Sequence, residues 1–238
     1  MDGPGKRRKG PKGDAEGTPF HSTAYWQKRY RTGGNSGAGS YGRLSVYKAQ
    51  IVNELVFLKD IRSAIEHGSG DGNQASLFTI ERYTGLDVSE DAIRHCREIF
   101  AHQAGWTFLP VSSFDLLRPH ELALSLDVIY HLIEDNVFED YMTRLFDSAS
   151  HFVLVYASDH DERMPAKHVR HRAYSEWIAA NRPDWQLAKT FDHPFPRHHD
   201  SDPNATALAF FRLYEKAPGS SVATETTNVV PNSTERDL

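Results

Sequence analysis

The stretch Glu66-His67-Gly68-Ser69-Gly70-Asp71-Gly72 constrains what this chain can fold into more than any other. An acid is followed by glycines at every second position. Glycine lacks the Cβ that bars positive φ and keeps a ligand away from the main chain. The freed amide groups of such a turn can cradle a small polar group. A plain conformational turn is the other reading, because loops collect glycine for backbone reasons alone. The flanks favour a site: Ser63-Ala64-Ile65 reads as the end of a buried strand, and the run from Asn73 to Phe78 could open a helix.

A second apolar run, Tyr83-Thr84-Gly85-Leu86-Asp87, ends in a carboxylate about twenty residues beyond the turn. In a Rossmann-like βαβ unit, an acid at the tip of the second strand binds the ribose hydroxyls of a nucleoside. The third glycine comes two residues after the second, whereas the dinucleotide fingerprint has three, and the lysine of a triphosphate-binding loop is missing. Both features point away from nicotinamide and nucleoside triphosphate chemistry.

The 238 residues suffice for one domain with a core of its own. A net charge of −5 argues against general affinity for nucleic acid or anionic membranes. The single cysteine, Cys96, excludes an internal disulfide and a cysteine-based zinc site, so a reducing, cytoplasmic setting is expected. No apolar run reaches the length that crosses a bilayer, and no membrane partner is expected.

Residues 1–19 hold five glycines, three prolines and the cluster Lys6-Arg7-Arg8-Lys9, and are expected to be a disordered basic tail. Residues 20–60 read as an N-terminal cap and helix. Tyr25, Trp26 and Tyr30 crowd six positions, and the loop Gly33 to Gly42 has five glycines in ten residues. That loop is either a lid that orders over a ligand or a flexible connector. Leu44, Tyr47, Ile51, Leu55 and Leu58 then recur at helical spacing. In the core, 61–216, Ser89 can cap a helix with Glu90 and Asp91 in its first turn and Ile93, Cys96, Ile99 and Phe100 as its apolar stripe. Further strands are expected at 107–111, 122–130 and 151–158, with a helix over 137–150 and a short one over 174–181. The runs 185–191 and 207–216 read as two strands with no helix between them. A second disordered tail is expected over 217–238.

With its glycine turn, its second-strand acid Asp87, Phe114-Asp115 after the third strand and Leu126-Asp127-Val128-Ile129-Tyr130-His131 at the fourth, the chain resembles the class I S-adenosylmethionine-dependent methyltransferases. The resemblance runs from about Tyr25 to Lys216. It implies an α/β fold: a Rossmann-like, seven-stranded, mostly parallel sheet with helices on both faces and a C-terminal antiparallel hairpin. It also implies S-adenosyl-L-methionine as cofactor. Glu66 would orient the amino group of the methionine moiety, with Gly68, Ser69, Gly70 and Gly72 against the main chain of the turn. Asp87 would accept both ribose hydroxyls, Asp115 the adenine amino group, and Phe114 and Val88 (or Leu86) would pack on the ring. Asp127 belongs to the same set, and Tyr25, Trp26 and Tyr30 would close the site.

The acceptor is less constrained. His131, just beyond the fourth strand, is the candidate base for a hydroxyl acceptor, since imidazole titrates near neutral pH; capping or passive lining is its other reading. Tyr130 sits beside it. The segment Lys167-His168-Val169-Arg170-His171-Arg172 is either a solvated loop or an anion pocket in which His168, Arg170, His171 and Arg172 grip a carboxylate or phosphate. The expected partner is therefore a small-molecule acceptor with a hydroxyl or acidic oxygen, anionic on the second reading of that segment, with a small amine as alternative. RNA is disfavoured by the overall charge, and the oligomeric state is undetermined. His193, His198, His199, Asp200 and Asp202 crowd one proline-bounded loop, where no metal is expected.

Overall fold

The computed structural model describes residues 20–197, 202 and 206–218. The two expected tails fall outside these, except for residues 217 and 218, as do His198, His199 and Asp200 of the histidine-rich loop.

Two helices precede the sheet, α1 (Ser22–Arg31) and α2 (Gly42–Leu58). The core then runs β1 (Ser63–His67), β2 (Arg82–Asp87), α3 (Glu90–Ile99), β3 (Trp106–Pro110), β4 (His120–Leu126), α4 (Asp135–Asp147) and β5 (Ala149–Ala157). A two-stranded ribbon, β6 (Glu162–Arg163) with β7 (Arg170–His171), leads to α5 (Tyr174–Asn181), β8 (Trp185–Phe191) and β9 (Phe210–Lys216). The seven long strands form one sheet in the order β3-β2-β1-β4-β5-β9-β8, with β9 antiparallel to both neighbours. This is the expected Rossmann-like sheet with its closing hairpin.

Strands covered on both faces need an apolar middle, and β1, β4 and β5 have one in Ala64-Ile65, Leu122-Ala123-Leu124 and Phe152-Val153-Leu154-Val155. Ala64, Leu122, Leu124 and Leu154 face a core shared with α2 and α3. Ile65, Ala123, Val153 and Val155 face a second core under α4 and α5. Ser89 caps α3 as expected, its hydroxyl accepting the Ala92 amide at 3.3 Å, and Ile93 and Cys96 are buried. Ile99, expected in that stripe, is 40 % exposed at the last turn. Among the described residues no helix is long and apolar enough to cross a membrane.

Two connections differ from the expected strand–helix rhythm. Between β1 and β2 there is only a 3-10 turn at Ala75–Leu77, because the glycine turn consumes most of the connection. Between β3 and β4 a 3-10 turn at Val111–Leu116 stands where a helix would pack. Leu116 is 85 % exposed there, and only Val111 and Phe114 of the turn pack, partly buried, against the second core. The expected strand 122–130 also stops early. Asp127 adopts φ of 62°, a left-handed conformation that ends extended pairing, and Ile129–His131 coil into a 3-10 turn.

The chain leaves β1 toward β2 and β3, then returns to lay β4 on the other side of β1. Ligands in such sheets bind at this reversal, outside the carboxyl ends of the strands. The ends of β1, β2 and β4 place Glu66, Asp87 and Asp127 there.

Candidate active site

A cavity of about 640 Å³ opens at the reversal. Its floor is the turn after β1, its walls are the ends of β2, β3 and β4, and its roof is α1. Glu66, Gly68, Ser69, Asp87, Val88 and Asp127 line it, as do Trp26, Tyr30 and His131.

The glycine turn is held from below by its acid neighbour: Asp87 accepts the Gly70 amide at 3.0 Å and the Ser89 amide at 2.8 Å. Gly68, Gly70 and Gly72 all have positive φ. They face three different neighbours. A Cβ on Gly68 would strike Val128 at 2.5 Å across the cavity, and one on Gly70 would collide with Ser36 and Tyr30 of the cap. One on Gly72 would meet Cys96 and Phe100 in the core. Of the three expected to lie against a ligand, only Gly68 lines the cavity; the others are glycine because protein packs against them.

Burial pushes the Glu66 carboxyl up to about 7, outweighing the Tyr83 hydroxyl that donates to it and the Lys48 charge nearby. Burial likewise raises Asp87 to about 6 against the amides of Ser89 and Gly70. Two further polar atoms of the lining, Ser69 Oγ and Gln74 Oε1, are buried without a hydrogen-bond partner. Unsatisfied groups of this kind cost stability unless something polar meets them. Carboxylates beside the turn, an orphaned hydroxyl and an orphaned amide oxygen suit a ligand rich in N–H and O–H donors, which S-adenosylmethionine is.

The third-strand position is arranged otherwise than expected. Asp115 is exposed, and Phe114 packs its ring 5.9 Å from that of His67. Neither is on the cavity wall, where Pro110, Val111 and Ser112 stand instead. The 3-10 turn carries Phe114 and Asp115 past the opening.

The roof is tied down at both ends. Ser22 donates its amide and hydroxyl to Glu134 at 2.9 and 2.5 Å. At the other end, Asp71 accepts the Ser36 amide and the Tyr41 hydroxyl, each at 2.8 Å, while its own amide donates to Ser36 Oγ. Burial raises the Asp71 carboxyl, but these donors outweigh it and hold the group below the usual carboxylate range. The loop from Gly33 to Gly42 is thus pinned to the glycine turn. Trp26 and Tyr30 face the cavity, while Tyr25 stacks on His168 at 5.0 Å outside it.

The opposite wall holds a group that the sequence reading overlooked. Lys48 of α2 is fully buried and meets Asp127 at 2.5 Å; Tyr130 donates to the other Asp127 oxygen at 2.6 Å. Tyr130 itself is off the cavity lining and acts through Asp127. Gly39 presses on the same carboxylate, since a Cβ there would lie 2.6 Å from Asp127 Oδ2. Lys48 follows Leu44 by four residues and precedes Val52 by four, both buried. A lysine on the apolar stripe of a helix was the signal available. Asp140 and Arg144 of α4, which also line the cavity, had no such mark.

Of the residues predicted for the acceptor side, His131, Tyr130, His168, Arg170, His171 and Arg172, only His131 is on the lining. Its Nδ1 donates to the His168 carbonyl at 2.8 Å, which leaves Nε2 as the acceptor in the neutral ring. Burial lowers it to about 4, so it is a weak base. The predicted anion pocket is placed elsewhere. Arg172 donates to Asp135 and to the carbonyls of Leu132 and Ile133, and Arg170 to Asp135 at 2.7 Å. Both guanidinium groups are spent stitching β7 to the loop before α4. His168 and His171 lie outside the cavity as well.

The sequence matches no family model and no curated protein. The fold does match solved structures. The 1,6-didemethyltoxoflavin-N1-methyltransferase of Burkholderia thailandensis superposes with a TM-score of 0.62 at 15 % identity, over 82 % of this chain and 87 % of that one. Magnesium protoporphyrin IX methyltransferase from Synechocystis PCC 6803 gives 0.58 at 12 %, over 82 % and 98 %. The methyltransferase domain of a bacterial Hen1 gives 0.55 at 16 %, over 71 % and 97 %. The first two were crystallised with S-adenosylhomocysteine. At these identities the likeness is one of fold, and the fold is that of the class I methyltransferases.

Proposed function

We propose that this chain, built on the class I methyltransferase fold, is an S-adenosylmethionine-dependent methyltransferase acting on a small molecule. The observation that carries the reading is the cavity at the sheet reversal, with Glu66, Gly68, Ser69 and Asp87 on its lining. Bound there, S-adenosylmethionine would supply an electrophilic methyl group on its sulfonium.

The chain's part is to hold, orient and exclude. Glu66 and Asp87 would take the amino group and the ribose hydroxyls, with Ser69 and Gln74 meeting further donors. Val88 and the Pro110–Ser112 wall would flank the adenine, in place of Phe114 and Asp115. Trp26 and Tyr30 keep water from the reacting centre, and displacement in a dry, oriented site needs little other help. Asp127, braced by Lys48 and Tyr130, and His131 Nε2 would orient the acceptor.

A hydroxyl or an acidic oxygen is the favoured acceptor atom, because these two groups can receive its proton or its hydrogen bond. The low basicity of His131 favours a second reading, a neutral nitrogen, which attacks without losing a proton first. With Arg170 and Arg172 engaged, nothing on the lining besides Arg144 and Lys48 supports an anionic acceptor. Incubation with methyl-tritiated S-adenosylmethionine and a cell extract split by size tests the reading. Label is expected in the small-metabolite fraction and absent with Asp87→Asn; label in RNA alone would overturn it.

A further inference from the structure

The ribbon that follows β5 gathers three metal-ligating side chains. In β6 and β7, Glu162 is the cross-strand partner of His171. Arg163 and Arg170, the other cross-strand pair, alternate to the opposite face, and His160 stands in the bend two residues before β6. From the opposite face Arg170 reaches Asp135.

The three side chains nevertheless converge. One donor atom from each of His160, Glu162 and His171 lies within 4.8 Å of the others. His160 Nε2 is 3.2 Å from Glu162 Oε2, and the two imidazoles stack at 4.7 Å between centroids. His171 is buried, and its Nδ1 is bonded to the Ser158 hydroxyl at 2.5 Å. With Nδ1 donating to that hydroxyl, Nε2 carries the free lone pair, the arrangement found behind histidines that bind metals.

We propose that His160, Glu162 and His171 bind one divalent transition metal ion of the zinc class, with Ser158 as positioning residue. Two imidazoles and a carboxylate suit zinc, cobalt or nickel, whereas calcium and magnesium take oxygen ligands. Three protein ligands leave a coordination position for water. Bound metal would cross-link β6 to β7 and so steady the segment between them, where His168 stacks on His131 and Tyr25. The proposal stands apart from the methyl-transfer reading and does not require it.

The full chain, stripped with chelator and dialysed, is titrated with Zn²⁺ by calorimetry and with Co²⁺ by visible absorption. One equivalent is expected, with a cobalt spectrum of nitrogen and oxygen ligation. His160→Ala and Glu162→Gln change exposed side chains and leave the fold intact. Each should weaken binding by at least about tenfold, and Ser158→Ala by about tenfold, as loss of an outer-shell partner does. A His198→Ala/His199→Ala variant should bind as the wild type does. Unchanged affinity in His160→Ala and Glu162→Gln, loss that follows His198 and His199 instead, or no binding by the folded wild type would overturn the site.

Discussion

The two sides of the cavity are built differently. The side at β1 and β2 comes from one continuous stretch: Glu66, the glycine turn and Asp87 lie within twenty-two residues, and Asp87 closes on Gly70 through a backbone amide at 3.0 Å. The other side is assembled from separate stretches: Trp26 and Tyr30 from α1, Lys48 from α2, Asp127 and His131 after β4. The first side offers main-chain geometry and two carboxylates, which on the proposed reading would serve a bound nucleoside. The second offers side chains that meet only when the chain is folded, and on the same reading they would face the acceptor.

If the second side depends on long-range pairing, breaking one pair should cost most. Lys48→Met leaves Asp127 without its buried partner and should destabilise the chain by about 3 to 5 kcal/mol in chemical denaturation. Lys48→Met/Asp127→Asn should recover most of that, since asparagine is neutral and tolerates the left-handed backbone. Equal losses in both would mean that the pair is not what holds α2 to β4. On the first side, Asp87→Asn should weaken S-adenosylhomocysteine by about 2 to 3 kcal/mol, near a hundredfold, in an equilibrium fluorescence titration.

The same side should respond to pH. The ligand's ammonium and hydroxyl donors need ionised carboxylates, and Glu66 and Asp87 ionise only above about 7 and 6. Affinity should therefore fall as pH drops from 8 to 6, by roughly tenfold from Glu66 alone. A flat profile would remove Glu66 from the donor site. Arg170→Ala should cost no more than about 1 kcal/mol of stability, its partner Asp135 being exposed, and leave cofactor affinity unchanged. Asp115→Ala should do least, with affinity within about twofold of wild type, because a solvated side chain off the wall has little to lose.

The glycine turn, Asp87, the capped α3 and the closing hairpin could be read in the sequence because each is a local pattern: a spacing, a cap, or an apolar run. Lys48 could have been, since it interrupts an apolar helical stripe. Arg170 and Arg172 misled for a physical reason. A basic run looks alike whether its guanidinium groups face a ligand or orphaned carbonyls of a neighbouring loop, and only the fold decides. Phe114 and Asp115 were displaced by a 3-10 turn too short to leave a periodic signature, and β6 with β7 was too brief to show alternation.

The central claim is that the turn after β1 holds the methyl donor. Calorimetric titration of the full chain with S-adenosylhomocysteine, alongside Gly68→Val, tests it most directly, because a side chain at Gly68 would collide with Val128 and obstruct the lining of the turn. One equivalent bound by the wild type and no measurable heat from a folded Gly68→Val is the predicted result. Equal binding by both, or none by the folded wild type, would contradict it.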